Sequence, residues 1–140
     1  MTRRPATQAD VPRLMEIRRQ SMNPHLVVAG VSISDEDQLQ RVLVHFESAE
    51  VLLSGGEIIG LVKIVRNGSD WELLQIQLET ARQGKGLGAQ LVGQLIAEAQ
   101  QAQATLKLSV LKANPARRLY ERLGFVVIGE DAHTFEMRLS

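Results

Sequence analysis

Three groups of residues in this chain have types and spacing that suit chemistry. The first is Gln83-Gly84-Lys85-Gly86-Leu87-Gly88, where three glycines alternate with other residues just ahead of a helical apolar pattern at Leu87, Leu91, Val92, Leu95, Ile96 and Ala99. Glycine lets the backbone come close to a ligand, and the unpaired amides of a first helical turn favour negative charge, so a pyrophosphate suits this stretch. The second is Tyr120, the one tyrosine in the chain. A phenol with an ordinary pKa near 10 stays protonated at neutral pH and can donate a proton to a charge that develops beside it. The third is Glu72 in the run WELLQIQL. Counting by twos places it on one strand face with Leu74, Ile76 and Leu78, a face that reads as buried, and burial would raise a carboxyl pKa towards that of a useful general base. A solvated carboxylate, or one paired with Lys63, is the plainer reading of the same residue.

Familiar phosphate motifs do not fit these letters. A P-loop needs four residues before Gly-Lys-Ser/Thr, whereas Lys85 is followed by Gly86. The dinucleotide fingerprint needs two residues between its second and third glycines and follows a first strand, and this loop comes past the middle of the chain. Cysteine is absent, which removes a thiolate nucleophile, a disulfide framework and a Cys-ligated metal, and is compatible with a reducing cytoplasm. His25 and His133 have no neighbouring acid spacing that reads as a ligand set, so no metal is expected.

These residues must be positioned by a mixed α/β chain. Thr7-Gln8-Ala9-Asp10 has capping-box spacing and leads into a helix marked by Leu14, Ile17, Arg18 and Met22, which Asn23-Pro24 is expected to end. VVAGVSIS then reads as a connector. A second helix is expected from Ser34 or Asp35 to Phe46, with an apolar stripe of Leu39, Val42, Leu43 and Phe46. From Ala49 the period changes to sheet: VLLS, EIIGLVKIV and WELLQIQL are joined by Gly55-Gly56 and Asn67-Gly68, turns that fit an antiparallel meander, and Gly60 suggests a bulge. The glycine loop and its helix then connect to TLKLSVL, which implies parallel pairing with WELLQIQL through a right-handed crossover. A helix over 116–123, closed by Gly124, and two final strands around Phe125–Ile128 and Thr134–Leu139 complete the pattern.

The glycine stretch and the tyrosine stretch together carry a resemblance. Gln83 to Gly88 matches the Gln/Arg-x-x-Gly-x-Gly/Ala signature of the GNAT superfamily of acyl-CoA-dependent acyltransferases, and Asn114-Pro115-Ala116-Arg117-Arg118-Leu119-Tyr120-Glu121-Arg122-Leu123-Gly124-Phe125 resembles its second segment, in the same order and with a strand between. The resemblance implies a central, mostly antiparallel sheet with one splayed parallel pair, flanked by helices, as a single domain over 1–140. It implies acetyl-CoA as cosubstrate, held by the main chain of Gln83, Gly84, Lys85, Gly86, Leu87, Gly88 and Ala89 and by Ile76, Gln77 and Leu78 along the pantetheine arm, with Arg82 at the rim; Asn114, as a polar contact or a cap of the following helix, and Arg117, as a basic or merely solvated residue, are further candidates for the coenzyme. It also implies Tyr120 as the acid that protonates the departing sulfur and Glu72 as the base that prepares the amine. The expected function is N-acetyl transfer to a primary amine of a small molecule or peptide; an acyl-CoA-binding or regulatory module with little turnover is the alternative.

Composition bounds the partners. At 140 residues with 44% hydrophobic content the chain can bury a core. Lys plus Arg and Asp plus Glu number 16 each, so nothing in the global charge points to nucleic acid or an anionic membrane. No secretion signal or apolar span is visible, and a cytoplasmic location is expected. His25, His133, Trp71 and Phe46 are candidates to line the acceptor end. Arg18/Arg19 could face an anionic substrate and Arg117/Arg118 a coenzyme phosphate. The apolar C-terminal strands offer edges that a homodimer would cover.

Overall fold

A computed structural model of the chain describes residues 1–28 and 34–139, with side chains for 1–20 and 34–139. Seven strands and four α-helices follow in the order β1 (Thr2–Pro5), α1 (Val11–Val28), α2 (Asp35–Leu43), β2 (Ala49–Ser54), β3 (Glu57–Asn67), β4 (Asp70–Leu78), α3 (Leu87–Gln101), β5 (Thr105–Leu111), α4 (Ala116–Arg122), β6 (Val126–Glu130) and β7 (Thr134–Leu139). The strands are hydrogen-bonded in the order β1-β2-β3-β4-β5-β7-β6. Pairing is antiparallel for β1 with β2, β2 with β3, β5 with β7 and β6 with β7. The β4–β5 pair is parallel, with Asp70–Leu73 in register with Thr105–Leu108. This is the expected mixed α/β fold with a parallel pair among antiparallel strands. Residue contacts divide the chain into two compact units, residues 1–63 with 75–85 and residues 64–74 with 86–140.

The first unit begins with the expected capping box. The Asp10 carboxylate accepts from the Thr7 amide at 2.8 Å and from the Thr7 hydroxyl at 3.1 Å, and Arg4 donates two further bonds to it. A short 3-10 turn at Gln8–Asp10 runs directly into α1, where Pro12 sits in the first turn and loses no intrahelical donor. Contrary to expectation, α1 continues through Asn23-Pro24 to Val28. Proline deletes one backbone donor but its φ is already helical, so a helix held elsewhere along its length can carry it. The connector read in VVAGVSIS lies largely outside the described residues, as does the His25 side chain.

Helix α2 starts under the hydroxyl of Ser34, which accepts from the Asp37 amide, with three acids in a first turn where the helix dipole favours them. It stops at Leu43 and not at Phe46: His45 adopts φ 54° and Phe46 opens a 3-10 turn. Its inward stripe also differs from the apolar reading, because Gln38 and Val42 are buried while Leu39 and Leu43 are exposed. Leu14, Met15, Val42, Ala49, Val51 and Leu61 form one buried apolar cluster of this unit. The suspected bulge is real, since Leu52 pairs with Gly60 but Leu53 with Ile58, leaving Ile59 as the extra residue. Gly60 is required by a close approach: a Cβ there would lie 2.3 Å from the Gln77 carbonyl oxygen.

The second unit is covered by helices in the ordinary apolar way. Leu91, Val92, Leu95 and Ala99 are the buried stripe of α3, which lies against β5. Leu106, Leu108 and Val110 of β5 and Met137 of β7 are buried and alternate with more accessible neighbours.

Candidate active site

The glycine loop connects the end of β4 to α3. After Leu78 the chain makes a 3-10 turn at Thr80–Arg82, and the Gln83 side chain turns back to donate to the Leu78 carbonyl at 3.1 Å. Gly84 and Gly86 take φ of 76° and 77°, left-handed values that disfavour side chains, and Gly86 is the N-cap of α3 with no side chain capping it. The first intrahelical bond closes from the Gln90 amide to the Gly86 carbonyl at 3.0 Å, so the amides before it have no intrahelical acceptor. Packing against the described residues does not explain these glycines: a Cβ at Gly84, Gly86 or Gly88 would meet nothing of them within 4 Å beyond the adjoining backbone. At Gly88 the φ is not left-handed either, and glycine inside a helix costs about 1 kcal/mol relative to alanine. Open main chain at a helix start is what an anion with several oxygens requires.

Charged groups flank this loop. Glu79 pairs with Arg82 at 3.1 Å and with Arg13 of α1. Partial burial pushes the Glu79 carboxyl up, but the hydrogen bonds from Arg82 and Arg13 outweigh it and hold the group below its ordinary value. Arg82 is therefore engaged by Glu79, while Lys85 is exposed and without an ion pair among the described residues. Sequence reasoning missed this Arg13–Glu79–Arg82 network, although the Glu79/Arg82 spacing of three was visible.

In the second unit, the Asn114 side chain accepts from the Ala116 amide at 2.9 Å and so sets the start of α4. Arg117 pairs with Glu121 at 3.1 Å and lies over the Phe135 ring at 4.8 Å, with the Lys112 ammonium 5.1 Å from the same ring. Lys112, Asn114, Arg117, Arg118 and Phe135 help line a hollow of about 430 Å³ with no acid in its wall among the described residues. Phe135 and Lys112 had no sequence signal of their own. They meet at the hollow through the pairing of β7 with β5.

Tyr120 projects from α4, half-buried, with its ring edge-on to Phe125 at 5.8 Å. Burial pushes its phenol above the ordinary value, so it remains a proton donor over the whole physiological range. Its hydroxyl has no hydrogen-bond partner among the described residues.

Glu72 requires a correction of premise. The side of β4 that is buried near its start carries Trp71 and Leu73, while Glu72 and Leu74 are exposed, so the carboxylate stands in solvent. Lys63 is not its partner. The Lys63 ammonium is buried in the first unit and donates to the carbonyls of Arg41 (3.0 Å), Val42 (2.9 Å) and Val44 at the end of α2. Further along β4, Ile76 and Leu78 are half-buried and Gln77 is buried. Trp71 is buried beneath the Arg66 guanidinium, and His133 is exposed at the last turn. Among the described residues no group of His, Asp and Glu side chains could hold a metal.

The acetyltransferase (GNAT) domain family matches residues 19–137 of the sequence, a span that contains both the glycine loop and the tyrosine segment. The chain belongs to this family. No curated protein matches it in sequence. Among solved structures it is similar to an acetyltransferase from Thermus thermophilus, at 23% identity and a TM-score of 0.79, covering 99% of this chain and 97% of that one. It is also similar to the PaiA N-acetyltransferase from Thermoplasma acidophilum in complex with coenzyme A (19%, TM-score 0.77, 98% and 96%) and to aminoglycoside 6'-acetyltransferase type Ii (18%, TM-score 0.73, 100% and 97%). At these identities the likeness establishes the fold. No helix among the described residues is long and apolar enough to cross a membrane.

Proposed function

We propose that the chain, acting as one domain over 1–140, transfers an acetyl group from acetyl-CoA to a primary amine of a small molecule or peptide in the cytoplasm. The observation that carries this reading is the start of α3, where Gly84, Gly86 and Gly88 leave open main chain that no packing against the described residues requires. The amides of Gln83 to Ala89 hold the pyrophosphate, Lys85 adds charge, Ile76, Gln77 and Leu78 offer main chain to the pantetheine arm, and Asn114 and Arg117 face a coenzyme phosphate from the basic hollow. The amine nitrogen attacks the thioester carbonyl carbon, the C–N bond forms as the C–S bond breaks, and the Tyr120 hydroxyl gives its proton to the departing sulfur. The proton shed by the attacking amine passes to Glu72, directly or through water. Exposure suits Glu72 to relay through solvent.

Replacing Gly86 with valine tests the loop. A β-branched residue at φ 77° is strained by about 1–3 kcal/mol and places methyl groups over the main-chain donors. Acetyl-CoA affinity by calorimetry is expected to fall by at least about tenfold while the circular dichroism spectrum stays native. Unchanged affinity in the folded variant refutes the assignment. Thiol release over an amine panel separates turnover from a binding module.

Val126, Val127 and Ile128 of the edge strand β6 are 44–58% exposed, which supports a homodimer that covers this edge. Light scattering is expected to give twice the 15.5 kDa chain mass. A monomer mass at every concentration excludes the dimer.

A further inference from the structure

Two cations are buried in the first unit, Arg18 of α1 at 5% exposure and Lys63 of β3 at 2%. A charge removed from water costs several kcal/mol unless it is paired or fully hydrogen-bonded. Lys63 meets that demand completely, because its three ammonium protons match the three carbonyls at the end of α2, where a helix leaves its last acceptors open. Arg18 does not. Among the described residues only Nε of its five N–H donors finds an acceptor, the Gln38 side-chain oxygen.

No carboxylate among the described residues pairs with Arg18, and residues 21–33, SMNPHLVVAGVSI, contain neither Asp nor Glu. Its neighbour Arg19 shows what an arginine of this helix does when an acid is within reach, pairing with Asp35 at 3.0 Å. The Arg41 and Lys63 charges in this unit share its sign. Burial, and then the Arg41 charge, push the guanidinium below its ordinary value, and Arg18 in turn lowers Lys63, whose pKa falls to about 8 chiefly through burial. Such surroundings disfavour an acceptor that brings additional positive charge and favour one that brings an anion.

We propose that Arg18 is a specificity residue for a carboxylate on the acceptor, held by the two Nη amino groups that Gln38 leaves unused, so that the acceptor is an amino acid or a similarly carboxylated amine. The planar guanidinium fork matches a carboxylate in bidentate fashion. The coenzyme's pyrophosphate is already provided with main-chain donors at the glycine loop, which leaves the acceptor as the reactant for this charge. The inference rests on the acetyltransferase reading.

Its test has a binding arm and a turnover arm. N-acetylglycine and its neutral isostere N-acetylglycinamide are titrated into the wild type, Arg18→Gln and Arg18→Lys, followed by thermal unfolding. The carboxylate is expected to raise the wild-type midpoint saturably, the amide to leave it unmoved, and Arg18→Gln to lose the response. In the turnover arm, thiol release from acetyl-CoA is compared for glycine with methylamine, lysine with cadaverine, and phenylalanine with phenethylamine. The carboxylated partner is expected to be preferred by about 10- to 100-fold, the worth of a charge-assisted hydrogen-bonded pair, through KM, and Arg18→Gln to abolish the preference. Equal wild-type responses to the two isosteres, or an undiminished response in Arg18→Gln, overturn the proposal. If that variant does not fold, the isostere comparison in the wild type decides alone. Acetyl-CoA calorimetry on the same samples keeps the two readings apart: failure to bind coenzyme defeats the acetyltransferase reading, whereas coenzyme binding without carboxylate discrimination defeats only the role of Arg18.

Discussion

The interiors of the two units are built from different chemistry. Asp10, Arg18, Gln38, Lys63 and Gln77, the buried polar and charged side chains among the described residues, all belong to the first unit, while the buried side chains of the second are apolar. In the second unit, burial follows the helical stripe of α3 and the alternation of β5, and its polar candidates Tyr120, Asn114 and Arg117 stand at the margin of that core. In the first, burial is bound up with specific partners: Arg4 for Asp10, the α2 carbonyls for Lys63, Gln38 for Arg18. Apolar packing tolerates exchange of residues of similar volume. A buried charge does not, because its partner must be supplied atom by atom. Exchange of a core residue is therefore expected to be tolerated better in the second unit than in the first.

The largest test of that contrast is whether the second unit also supplies chemistry. Tyr120→Phe keeps the ring against Phe125 and removes the donor, so turnover is expected to fall by about 10²- to 10⁴-fold with coenzyme affinity nearly unchanged. Glu72→Gln is expected to cost less, since an exposed carboxylate is readily replaced by water. Turnover and affinity measured across a pH series on a confirmed acceptor decide this. Wild-type rates in both variants would leave the second unit with coenzyme binding alone.

Stability separates the interiors next. Leu95→Ala empties a fully buried position of α3 and is expected to cost about 2–5 kcal/mol. Lys63→Met is expected to cost about 1–3 kcal/mol, because three carbonyls lose their donor while the desolvated charge is relieved. Denaturant midpoints compare the two. A neutral Lys63→Met would mean that the end of α2 does not depend on its lysine.

The smallest effect is expected in acid. The Arg4 guanidinium, with the Thr7 donors, holds the Asp10 carboxyl at about 2, below its ordinary 3.8. The unfolded chain therefore binds more protons between these values, and the stabilisation, complete above about pH 4, is lost as pH falls towards about 2. Asp10→Asn is expected to flatten the acid limb of stability against pH. An unchanged limb would move the acid sensitivity to another carboxyl.

Much of the fold was legible because helices and strands write their hydrogen-bonding period into neighbouring residues. The meander, the crossover through α3, the capping box, the glycine loop and the Asn114-to-Phe125 segment are all patterns within a few turns of chain, and each was found where its letters placed it. Local period does not say what covers a face. WELLQIQL has apolar residues on both of its faces, so the alternation could not reveal that Trp71 and Leu73 lie under cover while Glu72 is in solvent. Tertiary structure likewise decided that β7 and not β6 pairs with β5, which brings Phe135 beside Lys112 and Arg117. It carried α1 past Pro24 and turned Gln38 inward where Leu39 and Leu43 were expected. Arg18 and Lys63 are the plainest case. As letters they are two basic residues among many, and only the burial imposed by distant parts of the chain makes one the cap of a helix and sets the other against Gln38 with no acid partner among the described residues.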